Sequence, residues 1–103
     1  MNLREIILNS DKYKDSDELI HMVFARRSEN GFESNAEAIV LGLTPEEMEM
    51  DFIDIANSKC PGHVYFLEMF ILQDFFEDLK HSDEYKSDES KIKRVIHYAE
   101  FDA

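Results

Sequence analysis

A chain of 103 residues with 44% apolar content suits a single core, so one domain over residues 1–103 is expected. Its formal net charge of −12, from 23 acidic and 11 basic side chains, excludes the clustered Lys and Arg that nucleic acid and anionic membrane surfaces require. The single cysteine, Cys60, rules out an internal disulfide framework, and no apolar run approaches the roughly 20 residues that span a bilayer. With no secretory signal pattern at "MNLREIILNS", a cytoplasmic protein without direct nucleic-acid or membrane partners is the expectation.

Eight Phe, four Tyr and five Met against three Gly and two Pro favour helices over a many-stranded sheet, and the expected class is all-α: a compact bundle of about five to six helices. Asn2 and Glu5 fit a capping box for a first helix with Leu3, Ile6 and Ile7 on one face. A second helix is expected from Asp15 or Ser16, with Leu19, Ile20, Val23 and Phe24 inward, Arg26 and Arg27 in its last turn and Gly31 at its close.

"SNAE", Ser34 to Glu37, reads as the capping box of a short helix that buries Ala36, Ile39, Val40 and Leu43 and leaves at Gly42. "TPEE" from Thr44 is the strongest start signal. Thr suits the cap, Pro the first helical position, and two Glu the positive end of the dipole. The helix it opens is expected to reach about Ser58, burying Met48, Phe52, Ile55 and Ala56.

After the Cys60-Pro61-Gly62 break, the dense apolar run from Val64 to Leu79 reads as a long central helix. The alternative is an α+β arrangement with a short strand near 63–70, since Val, Tyr and Phe also suit strands. The polar connector "KHSDEYKSDES" leads to a last helix from Ser87 or Asp88, with Ile92, Val95, Ile96 and Ala99 inward.

The charge is regional. Residues 28 to 79 hold twelve acids and one base, Lys59, while the flanking segments are close to neutral. On one helix, Glu47 with Asp51 and Asp51 with Asp54 would repel by about 0.2–0.5 kcal/mol per pair. A plain solvated face is one reading of this acidity, and a surface built for a strongly basic protein is the other. The leading partner-binding candidates are Glu46, Glu47, Glu49, Asp51 and Asp54, with Asp83, Glu84, Tyr85, Asp88 and Glu89 as a second patch.

Chemical motifs are sparse. His97 with Glu100, and His81 with Asp83 and Glu84, fall short of a metal ligand set. Cys60 beside His63 lacks an orienting third group and reads as a thiol at a helix break. No nucleotide, hydrolase or zinc-protease motif occurs, so no catalytic residue, cofactor or metal is expected and the chain reads as a non-enzyme. Tyr65 and Tyr98 stand either at the core edge or as exposed aromatic anchors.

In its size, acidity and lack of catalytic motifs, and in the stretches "FILQDFFEDL" and "VIHYAEFDA", the chain resembles the small immunity proteins of bacterial contact-dependent growth inhibition and related polymorphic toxin systems. The resemblance implies neutralisation of a cognate basic toxin domain, such as a nuclease, by an acidic surface that fills its cleft. An acidic DNA mimic and a helical adaptor are the other classes open to such a sequence. Its oligomeric state is not set by any pattern in the sequence.

Overall fold

The run Ile20 to Ala25 decides the architecture. In the computed structural model, which describes residues 1–102, it is a strand, β1 (Ile20–Ala25), covered on both faces. Met22 and Phe24 pack on one side, Val23 and Ala25 on the other, and all four are inaccessible to solvent. Such a strand needs no polar alternation. Its apolar residues therefore fall at the same spacings as those of a buried helix, and periodicity misassigns it.

The all-α expectation is overturned. The protein is α+β, with a three-stranded antiparallel sheet in the order β2-β1-β3 and helices on both of its faces. Strand β2 (Ala38–Leu43) replaces the helix expected after "SNAE". Its β-branched Ile39 and Val40 favour the pleated surface. Val40 lies opposite Val23, Ile39 opposite Phe24, and Gly42 sits within the strand beneath the side chain of Leu19.

The alternative strand near 63–70 exists as β3 (Val64–Glu68). Between Val23 and Phe24 the pairing slips: Leu67 faces Val23, Tyr65 faces Phe24, and Phe66 is the additional residue. This bulge lets Phe66 and Leu67 enter one core while Tyr65 packs into the other.

The larger core lies between the sheet and three helices, α1 (Leu3–Leu8), α3 (Met69–Lys80) and α4 (Asp88–Phe101). Asn2 and Glu5 form the reciprocal cap of α1, and the Ser87 side chain accepts from the Ser90 N–H at the start of α4. The smaller core, on the opposite face, seats α2 (Phe52–Lys59) through Ile55, Ala56 and Cys60 on Met22, Phe24 and Leu43. Among the described residues, no helix is long and apolar enough to cross a membrane.

Candidate partner-binding surface

The capping chemistry read at Thr44 is present, but it closes a turn instead of starting a long helix. The Thr44 N–H donates to the Glu47 carboxylate at 3.0 Å, and the Glu47 N–H donates to Thr44 Oγ1 at 3.3 Å. One 3-10 turn follows, Glu47–Glu49. Met50 and Asp51 are extended, with ψ of 153° and 145°, so the helix expected over 44–58 divides into that turn and α2.

This break redistributes the acids. Glu47 turns back to Lys59, pairing at 2.7 Å. Lys59 first, and then the Thr44 backbone N–H, pull its carboxyl down to about 2. Glu47 is thus neutralised by the chain's own lysine and leaves the candidate set. The repulsion expected between Glu47 and Asp51 along one helix does not arise, because they no longer share one.

Asp51 occupies the N-cap of α2 and Asp54 lies in its first turn, where the positive end of the helix dipole favours carboxylates by about 0.3–1 kcal/mol each. Their placement therefore carries a local benefit. Glu46, Glu49, Asp51 and Asp54 are all exposed, and none has an ion-pair partner among the described residues. Four of the five leading candidates thus form one stretch of uncompensated negative charge on the α2 side of the sheet.

The second patch does not join them. Asp83, Glu84 and Tyr85 lie in the connector before α4, and Asp88 and Glu89 in its first turn, on the layer across the sheet. Glu89 pairs with Arg4, and the Tyr85 ring packs against the larger core. Asp83, Glu84 and Asp88 remain exposed.

Sequence reading passed over an apolar groove beside the first patch. It has a volume of about 260 Å³ and runs between α2 and β3, lined by Phe52, Ile53, Ala56, His63, Val64 and Tyr65, with Asn57 at its edge. Ile53 is 75% exposed and Val64 44%, while the neighbouring Met50 is 43% exposed. Ile53 stands off the Phe52, Ile55 and Ala56 stripe, and an isoleucine out of phase within an acidic segment is the signal that could have found it.

Tyr65 forms the floor of this groove. Its ring stacks on Phe52 at 4.2 Å and 15°, and its hydroxyl donates to Glu68 at 2.9 Å. Burial and the Glu68 carboxylate push the phenol well above its ordinary range, so it stays neutral. Tyr98 lies half-buried with its ring 4.7 Å from Phe75, and both tyrosines are core-edge residues. The His63 Nδ1 is buried and has no hydrogen-bond partner.

The remaining chemical candidates have structural roles. Cys60 lies in the smaller core, where burial pushes its thiol up and away from the reactive thiolate. Glu100 is held by Arg27 at 2.7 Å and by the Phe32 N–H at 2.5 Å. Arg27 in particular keeps its carboxyl below the usual range. Among the described residues no group of three or more His, Cys, Asp or Glu gathers to hold a metal ion.

No family model, curated protein or solved structure matches this chain.

Proposed function

We propose that this protein is a non-enzymatic immunity protein that binds and neutralises a cognate basic toxin domain, with the α2 side of the sheet as its binding face. The observation that carries this reading is the set Glu46, Glu49, Asp51 and Asp54: four exposed carboxylates on one short segment, none with an ion-pair partner among the described residues. A surface kept soluble by mixed charge would intersperse lysines. Here the one nearby lysine, Lys59, is engaged by Glu47.

A toxin that cleaves nucleic acid needs a cationic cleft for phosphate. An acidic face meets that cleft with complementary potential, which can raise the association rate from about 10⁵–10⁶ to 10⁸ M⁻¹s⁻¹ or more at low salt. Seated there, it excludes the anionic substrate by occupancy and by repulsion. The chain contributes no bond-breaking step of its own.

The test is co-expression with the C-terminal domain of any toxin encoded beside this protein, followed by copurification and a viability count. Rescue of growth together with a copurifying complex is the expected result. Undiminished toxicity refutes the proposal.

A further inference from the structure

We infer that the α2–β3 groove is the anchoring point of the partner-binding face and receives one aliphatic side chain from a cationic segment whose lysines or arginines lie on the adjoining carboxylates. The inference rests on the proposed acidic binding face and deepens it by assigning the apolar half of the contact.

Charge selects the occupant. A second copy of this chain would bring another −12 and set its own acidic segment against the first. Nucleic acid is repelled for the same reason. A segment with positive charge on either side of an aliphatic residue satisfies both parts of the surface.

The geometry suits that pattern. Ile53 and Asn57 are one turn apart on the exposed side of α2, and Asp54 follows Ile53 by 100° around the helix, with Asp51 one turn before it. Tyr65 faces α2 from the outer strand β3, its ring stacked on Phe52 beneath Ile53, and Val64 lines the end of the groove. Stacked rings make a rigid floor, so little side-chain freedom is lost on binding. His63 also lines the groove, and its buried Nδ1 has no hydrogen-bond partner.

The probe is a blocked pentapeptide with leucine flanked on each side by two lysines, titrated into the uniformly ¹⁵N-labelled protein at low salt. Two control peptides replace the leucine by serine or the lysines by glutamates. Amide shifts centred on Ile53, Asn57 and Val64, lost with both controls and weakened about tenfold or more by Ile53→Asn, are expected. Ile53→Ala, which keeps the helix intact, should weaken binding in the same direction. Absent shifts, shifts centred elsewhere, or shifts indifferent to the serine control overturn the inference. If the toxin is neutralised as well by Ile53→Asn as by the parent, the groove assignment falls while the acidic-face reading stands. Groove-centred peptide binding without protection from the toxin has the opposite meaning.

Discussion

Two isoleucines two positions apart on α2 make opposite predictions about stability. Ile55 is fully buried on Met22, Phe24 and Leu43, whereas Ile53 is 75% exposed. Truncating Ile55 to Ala removes three carbon atoms from the smaller core and leaves a cavity that a β-sheet floor cannot easily collapse to fill. The expected cost is about 2–5 kcal/mol. Ile53→Ala removes the same atoms from solvent and should stay within about 0.5 kcal/mol of the parent. For a domain of this size each kcal/mol shifts the melting temperature by about 4–8 °C. Ile55→Ala should therefore melt at least about 8 °C lower, and Ile53→Ala within a few degrees of the parent. Urea unfolding followed by circular dichroism reads both, with the slope unchanged if the unfolding remains two-state. Equal losses in the two variants, or a larger loss at Ile53, would refute this seating of α2 on the sheet.

Acid sensitivity follows from Glu47. Its carboxyl titrates at about 2 when folded against a usual 4.5, so the stabilisation is complete above pH 4.5 and is lost as the pH falls from there toward 2. Glu37 and Glu100, also held low by arginines, lose stability in the same direction. Lys59→Met removes the largest cause at Glu47 and should flatten the drop in urea midpoint between pH 6 and pH 3; an unchanged drop contradicts the pairing. At the other end of the molecule, Glu100 ties α4 to the β1–β2 loop through Arg27 and the Phe32 N–H, beneath Gly31 with its φ of +94°. Glu100→Ala should speed hydrogen exchange at the Phe32 amide by about tenfold or more while the Val23 and Phe24 amides keep their protection. Equal acceleration at all three sites would mean that Glu100 supports the whole fold.

Local signals survived where a few neighbouring residues decide the outcome. The Asn2 and Glu5 cap, the Thr44 and Glu47 capping bonds (though they start no long helix), and the final helix capped by Ser87 were legible because capping hydrogen bonds span three residues. What failed depended on distant partners. Whether Ile20 to Ala25 coils or extends is set by Ala38 to Leu43 and Val64 to Glu68 on either side, neither of which a local window contains. "SNAE" has the residues of a cap, yet Glu37 pairs with Arg26 at 2.6 Å and the chain enters β2.

The acidic segment was legible as composition and only partly as geometry. Its carboxylates do gather on one side, but the break at Met50 and Asp51 transfers Glu47 to Lys59 and turns Asp51 and Asp54 into residues at a helix start. The second candidate patch, read from the connector before the last helix, lies across the sheet from the first. The groove escaped notice because its two sides, Ile53 on α2 and Tyr65 on β3, are joined only when β3 forms.

The central claim is that Glu49, Asp51 and Asp54 accelerate the encounter with a cationic protein. Reversing all three to Lys takes the net charge from −12 to about −6 and breaks no side-chain hydrogen bond or ion pair among the described residues, at the cost of the helix-dipole benefit of Asp51 and Asp54, about 0.3–1 kcal/mol each. The measurement is the association rate constant with the toxin domain, for parent and triple variant, across a series of salt concentrations. A rate for the variant that is at least about tenfold slower at low salt, with a shallower salt dependence, is the predicted result. Equal rates and equal salt slopes would contradict the account and leave the three carboxylates as ordinary solvated surface.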